Sequence, residues 1–150
     1  ERERLRHEVV AAGAERFNLV FDGVLRGQEE DRCLEAALAH APADLDAILG
    51  ELPDGVTITR RLGGHRDLVL IFVTRQVDLA ARIPSLTSAI APNGMIWVAW
   101  PKRASKIDTD MTEDVIREIV LPTSPLVDVK VCAIDNIWSG LKLVIRREHR

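Results

Sequence analysis

Two lysines and three short polar residues follow an apolar segment in the last third of the chain. Lys102, Ser105 and Lys106 lie in one loop, and Thr109 and Asp110 come just before a helical pattern begins. Ammonium groups, hydroxyl groups and the backbone N–H groups at the start of a helix are donors that hold phosphate or carboxylate. The loop therefore predicts a binding site for a small anion.

The same loop also allows a purely structural interpretation. Acidic residues crowd the predicted helix start, where they favour the helix dipole and can pair with the lysines. They are Asp108, Asp110, Glu113 and Asp114. Asp110 with Glu113 three residues later is an acidic variant of the capping box, which predicts Asp110 as the N-cap. The sequence leaves both interpretations open.

Asp135, Trp138 and Ser139 lie in and beside the link between the last two predicted strands. A carboxylate, an indole and a hydroxyl at the edge of an α/β sheet can contribute to a ligand site, and we include them in the candidate site. The structural alternative is that Trp138 covers the core while its two polar neighbours close the turn. No catalytic residue is assigned.

Metal or thiol chemistry has little support in the sequence. Cys132 lies within a strand pattern, which is typical of a buried, reduced thiol, and Cys33 is the other cysteine of the chain. The four histidines are scattered, and none has metal-ligand spacing with a cysteine. The sequence therefore predicts no metal site, no disulfide framework and no cofactor.

Strand and helix patterns alternate from residue 56 onwards, and they would position the candidate residues. Apolar or alternating segments predict strands over residues 56–60, 67–73, 95–100, 126–135 and 138–147. Helical periodicity predicts helices over 77–91 and 111–121, and Pro92-Asn93-Gly94 predicts a turn. The link at Asn136-Ile137 is short, so the last strand is expected to be antiparallel to its neighbour.

This order predicts an α/β domain of the Rossmann type over residues 41–150. We expect a mostly parallel sheet with helices on both faces and an antiparallel last strand. Residues 1–40 are predicted to form an N-terminal helical extension, since residues 28–40 are rich in Leu, Ala and Glu. The predicted core residues are Leu68, Leu70, Ile71, Phe72, Ile96, Val98, Val129 and Val131.

The net charge and the apolar content of the sequence bear on which classes of partner this protein binds. A net charge of -3 over 150 residues gives no field that demands nucleic acid or an anionic membrane as partner. No apolar run is long enough to span a bilayer, and the charged start lacks the apolar segment of a signal peptide. We therefore expect a soluble, cytoplasmic protein without a nucleic-acid or membrane partner, and its oligomeric state is left open.

The block from Asp67 onwards resembles the second half of a class I, S-adenosylmethionine-dependent methyltransferase fold. The matching elements are strands, helices, an Ala-Pro-Asn-Gly segment and a terminal antiparallel pair, at Asp67–Val73, Asp78–Ile90, Ala91–Gly94, Met95–Trp100, Met111–Leu121 and Val127–Ile145. The segments WVAWPK, TDMTEDVIRE and VDVKVCAIDNIWSGLKLV are also similar to a bacterial family of unknown function, the DUF3052-like group.

The resemblance implies a small Rossmann-like, methyltransferase-like domain, but one departure bears on its function. Methyltransferases of this kind hold their cofactor with a glycine-rich turn after the first strand, and no Gly-x-Gly precedes Val56. The sequence therefore predicts a non-enzymatic or vestigial module that binds a small anionic ligand or a protein partner. The alternative is a transferase or hydrolase that acts at the carboxyl edge of the sheet.

Overall fold

The computed structural model describes residues 34–39, 43, 56–59, 64–134 and 136–150. In these ranges one sheet contains strands β1 (Leu34–Ala39), β2 (Val56–Thr59), β3 (Arg66–Phe72), β4 (Ile90–Pro101), β5 (Leu126–Ala133) and β6 (Trp138–Ile145). Helix α1 (Gln76–Ala89) follows β3, and helix α2 (Glu113–Val120) follows β4. Short 3-10 turns cover Arg103–Ser105 and Arg147–His149.

The sheet is mixed, with the spatial order β2-β1-β3-β4-β6-β5. β1 pairs in parallel with β2 and with β3, and β3 pairs in parallel with β4. β6 is antiparallel to both β4 and β5, which confirms the predicted direction of the last strand. β2 and β3 lie on opposite sides of β1, so the strand order reverses there. In open α/β sheets ligands bind outside the carboxyl ends of the strands at such a reversal.

Residues Leu34–Ala39 form a strand inside the sheet, although the sequence predicts a helix over 28–40. Leu and Ala favour helices, but the differences in propensity are only about 0.7 kcal/mol per residue among ordinary residues. Parallel ladders to β2 and β3 satisfy the backbone of this segment on both sides and outweigh that preference. The predicted helix is therefore wrong for residues 34–39. Residues 1–33 of the predicted extension lie outside the described ranges.

Both faces of β3 are buried. On one face Val69 and Ile71 belong to a core cluster that also contains residues of both helices, among them Leu79, Ile83 and Leu86 of α1 and Ile116 and Val120 of α2. Leu68 and Leu70 on the opposite face are equally inaccessible. Both described helices thus pack on the first face. The prediction of helices on the second face falls on residues outside the described ranges.

The predicted core is confirmed in β3 and β4 and wrong in β5. Leu68, Leu70, Ile71, Phe72, Ile96 and Val98 are at most 4% exposed. Val129 and Val131 are 56% and 40% exposed. β5 is the outer strand of the sheet, and its register with β6 shifts between Asp128 and Lys130. Val129 is therefore the extra residue of a β-bulge, and a bulge on an edge strand turns such a side chain to solvent.

The residues Pro92-Asn93-Gly94 lie within β4 and do not form the predicted turn. Arg66 is opposite Ile90 and Leu68 is opposite Met95, so β4 carries extra residues in a bulge at this point. A Cβ atom on Gly94 would lie 2.8 Å from the backbone oxygen of Arg66. The glycine thus permits a close backbone approach inside an irregular strand, which is a second common use of Gly besides turns.

Candidate functional site

The β4–α2 loop (residues 102–112) lies at the carboxyl edge of the parallel strands. Ser105 donates its hydroxyl to the carbonyl of Lys102 at 2.6 Å and accepts the N–H of Ile107 at 3.3 Å. Lys106 is exposed and has a left-handed backbone with φ 60°. The N–H of Lys102 donates to the carbonyl of Ile137 at 2.7 Å. These bonds hold the loop together and place it against the β5–β6 link.

Thr109 and Asp110 tie the β4–α2 loop to the segment after β3. Thr109 Oγ1 donates to the carbonyl of Thr74 at 2.7 Å and accepts the N–H of Met111 at 3.1 Å. Asp110 Oδ1 accepts the N–H of Gln76 at 2.9 Å, and the Asp110 carbonyl accepts the Gln76 side-chain amide at 3.0 Å. Because Gln76 is the first residue of α1, Asp110 caps this helix from 34 positions away in the sequence.

The prediction that Asp110 caps α2 is wrong. α2 begins at Glu113, and the hydroxyl of its N-cap residue, Thr112, accepts the N–H of Val115 at 3.2 Å. Threonine is also a favoured N-cap, so α2 does not need the carboxylate of Asp110. That carboxylate points to α1 and satisfies the same kind of unpaired N–H group there.

An ion pair adds a further contact between these two segments. Asp108 bonds to the guanidinium of Arg75. The hydrogen bond and charge of Asp108 raise the pKa of Arg75 above its ordinary value. The two side chains are 44% and 87% exposed, so water screens their attraction. The ion pair therefore contributes less to holding the loop in place than the hydrogen bonds of Thr109 and Asp110 do.

Not all predicted site residues fall near one another. Asp135 lies outside the described residues. Ser139 is opposite Trp100 in β4 and Ala133 in β5, within the sheet. Ser105, Thr109 and Asp110 are bonded within the β4–α2 loop or to the segment after β3. Of the predicted residues, Trp138 lines the cleft described next.

A cleft of about 260 Å³ opens at the carboxyl end of β3. It is lined by Phe72, Val73, Thr74, Asp78, Arg82 and Trp138. The rings of Phe72 and Trp138 meet edge to face, with centroids 5.0 Å apart and planes at 85°. Asp78 and Arg82 come from the first turns of α1. The cleft thus combines an aromatic wall with one acidic and one basic side chain.

Asp78 and Arg82 are four residues apart on α1, a spacing at which opposite charges usually pair on a helix. Within the part of the chain that the structure describes, neither side chain forms a hydrogen bond or an ion pair. Arg82 is half-buried, and Asp78 is exposed. Both charges are therefore available to a molecule that enters the cleft.

Phe72, Thr74, Asp78 and Arg82 are not among the residues predicted from the sequence as a site. A signal was available for two of them. Asp78 and Arg82 lie on the helix that follows a buried strand, and side chains at i and i+4 share one face. The carboxyl end of such a strand is where α/β sheets bind ligands. The closing of the cleft by Trp138 depends on the distant strand β6, and local spacing does not reveal it.

Three further observations concern the described residues. No group of three or more His, Cys, Asp or Glu side chains among them could hold a metal ion. None of their helices has both the length and the apolar character needed to cross a membrane. Cys132 is reduced and half-buried in β5, so its burial is less complete than the sequence predicts.

The sequence matches no protein-family profile and no curated protein, so the resemblance to the DUF3052-like group has no support. Solved structures do match. Magnesium protoporphyrin IX methyltransferase from Synechocystis PCC 6803 with bound SAM aligns with a TM-score of 0.61 and 12% identity over 93% of this chain and 83% of that chain. N-methyltransferase NodS from Bradyrhizobium japonicum WM9 aligns with a TM-score of 0.52 and 12% identity over 97% of each chain.

LepI in complex with SAM aligns with a TM-score of 0.55 and 9% identity over 83% of this chain. The match covers 46% of LepI, so this chain spans about half the length of that protein. At such low identities the likeness shows the fold and leaves the activity open. The resemblance to S-adenosylmethionine-dependent methyltransferases holds at that level: the chain has a methyltransferase-like, Rossmann-type α/β fold.

Proposed function

We propose that this protein is a methyltransferase-like module that binds a small anionic ligand in the cleft at the carboxyl end of β3. The observation that carries this proposal is the half-buried residue Arg82, which lines the cleft and whose side chain forms no ion pair within the described residues. Guanidinium is a permanent cation whose planar donors match carboxylate and phosphate groups. Partial burial strengthens its attraction to an anion, because less water screens the two charges.

The position of the cleft supports the proposal. Thr74 follows the carboxyl end of β3, and β3 is the neighbour of β1 at the point where the strand order reverses. Loops on the two sides of such a reversal run apart and leave a crevice in which ligands of α/β proteins bind. The cleft therefore begins at the carboxyl end of a strand that borders the reversal, and its lining residues come from β3 and the residues after it, from α1 and from β6.

The size and walls of the cleft favour a small ligand with an aromatic ring. Its volume of about 260 Å³ is below the roughly 300–1,000 Å³ of sites for drug-sized molecules. Trp138 is half-buried and packs on Phe72, so its ring can take up an aromatic partner without moving. An aromatic carboxylate is the simplest molecule that uses both this wall and Arg82.

The β4–α2 loop remains the second position for the anion. Lys102 and Lys106 would supply the charge there. Three other polar groups of the loop already bind groups of the protein: the hydroxyls of Ser105 and Thr109 and the carboxylate of Asp110. This use of the loop groups favours the cleft as the position of the anion. A variant without the two lysines distinguishes the two positions.

The usual binding of S-adenosylmethionine is not part of the proposal, although two of the matching structures contain SAM. β1, the first of the described strands, ends at Ala39. The next residues are His40-Ala41-Pro42-Ala43, without a glycine. Only glycine lets the backbone approach a ligand as closely as the fold's usual cofactor turn does. We therefore propose that the module does not bind this cofactor in the usual methyltransferase manner.

Protein-observed NMR titration with hydrocinnamate, a small aromatic carboxylate, tests the proposal. We expect saturable shifts of the Trp138 indole signal at roughly millimolar concentration, as is usual for so small a ligand. Arg82→Gln should abolish them, because the carboxylate loses its cation. Arg147→Gln is the matched control, since it removes an exposed arginine from the 3-10 turn after β6, outside both candidate positions. Unchanged binding to Arg82→Gln would overturn the cleft as the site.

A calorimetric titration with S-adenosylmethionine and S-adenosylhomocysteine tests the other half of the proposal. We expect no heat of binding from either compound. Micromolar binding would contradict the proposal and favour the alternative, a transferase that acts at the carboxyl edge of the sheet. The Arg82→Gln variant would then show whether the cleft contributes to that activity.

A further inference from the structure

We propose that the ligand of this cleft is amphoteric: an aromatic molecule whose acidic group binds Arg82 and whose amine group binds Asp78. The inference rests on the proposed function, that the cleft binds an anion, and adds a requirement for a second, cationic group. It names the class of ligand as small aromatic amino acids and related amine carboxylates.

Asp78 is the observation that requires the second group. Its ionised carboxylate accepts hydrogen bonds and donates none. A ligand with an acidic group alone would enter a cleft whose wall includes this like charge, and the repulsion would offset part of the attraction to Arg82. A ligand that also carries an ammonium group converts the repulsion into a second charge-assisted hydrogen bond.

No partner within the described residues uses the Asp78 carboxylate. The charge of Asp78 acts on Arg75, whose pKa is raised mainly by its bond to Asp108 and least by the charge of Asp78. Because Arg75 is already bonded to Asp108, it does not neutralise Asp78 by direct contact. Asp78 also favours the dipole at the start of α1, but this role does not remove its charge from the cleft.

The spacing of the two charges suits a single small molecule. Residues at i and i+4 on a helix have Cβ atoms about 5–6 Å apart, and the two side chains point to the same side. An amine and an acid attached to the same carbon atom, as in an α-amino acid, can therefore meet both side chains at once. The aromatic ring of the same molecule then lies toward Trp138 and Phe72.

Three ligands, each with a phenyl ring, test the acidic group and the amine group separately. Phenylalanine carries both groups, hydrocinnamate carries only the acid, and phenethylamine carries only the amine. In NMR titrations of the wild-type protein we expect phenylalanine to bind about tenfold more tightly than either of the others. Asp78→Asn should remove the advantage of phenylalanine over hydrocinnamate. The matched control is Asp114→Asn, which removes an exposed carboxylate from α2.

The outcomes distinguish this inference from the proposed function. If hydrocinnamate binds in an Arg82-dependent manner and at least as tightly as phenylalanine, the amphoteric ligand is excluded and the anion site stands. If Asp78→Asn weakens the binding of hydrocinnamate and of phenylalanine equally, Asp78 affects the shape of the cleft but does not bind the amine, and the inference is wrong. If none of the three compounds binds, the inference and the proposed function are both overturned.

Discussion

Two neighbouring regions at the same edge of the sheet use their polar residues in opposite ways. In the β4–α2 loop, Thr109 and Asp110 bond to the chain segment after β3. In the cleft, Asp78 and Arg82 are close enough in sequence to pair, yet form no bond within the described residues. The short polar side chains of the loop are already bonded to the protein, whereas the two charged side chains of the cleft are not. Residue type alone therefore does not identify the ligand site.

The difference has a physical cause in the local backbone. An irregular loop leaves many N–H and C=O groups without partners, and each buried one needs a hydrogen bond. Short side chains such as Ser, Thr and Asp meet that need, and this use competes with ligand binding. A helix satisfies the backbone groups of its interior, and at the start of α1 Asp110 accepts the N–H of Gln76. The side chains of Asp78 and Arg82 on α1 form no bond to the backbone within the described residues. We expect removal of loop groups to lower stability and removal of cleft groups to lower affinity.

The largest expected effect on stability is that of Thr109→Val. The substitution keeps the shape and removes the hydroxyl, so the N–H of Met111 loses its bond to Thr109 and the carbonyl of Thr74 keeps only the longer bond from the N–H of Asp110, at 3.4 Å. Leaving such groups unsatisfied should lower the free energy of unfolding by about 2 kcal/mol, measured by urea denaturation. Thr109→Ser retains the hydroxyl and should lose less than half as much. A loss below about 0.5 kcal/mol for Thr109→Val would mean that the loop is not held by these bonds.

Asp110→Ala should have the second-largest effect. It removes the cap of α1, and lost caps cost about 1 kcal/mol. Asp110→Asn retains an acceptor oxygen and should stay close to the wild type. Asp78→Ala, in the cleft, is the matched comparison and should change the free energy of unfolding by less than about 0.5 kcal/mol. Equal losses for Asp110→Ala and Asp78→Ala would erase the contrast between the two regions.

The sequence predicts the parts of this fold that depend on local patterns. Continuous apolar runs identify β3 and β4, and helical periodicity identifies α1, because these signals lie within a few residues of one another. β1 is missed because its Leu and Ala residues favour a helix locally. Its strand conformation comes from ladders to β2 and β3, which lie far away in the sequence.

The site shows the same division between local and distant causes. Trp138 is predicted as a site residue, because its place beside the link between the last two strands is visible in the sequence. The role of Asp110 is not predictable in that way, since its carboxylate bonds to a helix 34 positions earlier in the chain. Asp78 and Arg82 remain unpaired through a choice of side-chain conformation, which no spacing rule determines. The sequence therefore does not show which polar groups already form hydrogen bonds within the protein.

The third prediction concerns the lysines of the β4–α2 loop. The double variant Lys102→Ala with Lys106→Ala should bind hydrocinnamate within about twofold of the wild type, because the cleft supplies the cation. Its free energy of unfolding should change by less than about 1 kcal/mol, as is typical when surface lysines lose their pairing. NMR titration and urea denaturation measure the two quantities. Complete loss of hydrocinnamate binding would place the anion at the β4–α2 loop and show that the loop, and not the cleft, is the ligand site.

The smallest effect is expected from Asp108→Asn, which breaks the ion pair with Arg75. The side chains of Arg75 and Asp108 are 44% and 87% exposed, and the attraction between them is screened within about 3 Å at 1 M salt. Urea denaturation at low salt should therefore give a barely detectable loss, which disappears at 1 M salt. Binding of hydrocinnamate should not change, because neither residue lines the cleft.

The pH dependence of this ion pair follows from the raised pKa of Arg75. Asp108 raises that pKa by favouring the charged guanidinium in the folded protein. A raised pKa contributes stability that is fully present below the ordinary pKa of arginine and is lost only as the pH rises through the higher, folded-state value. Arg75 should therefore add no pH dependence to stability near neutrality. A loss in Asp108→Asn as large as that in Asp110→Ala, unaffected by salt, would show that the exposed pair holds the loop as firmly as the cap does.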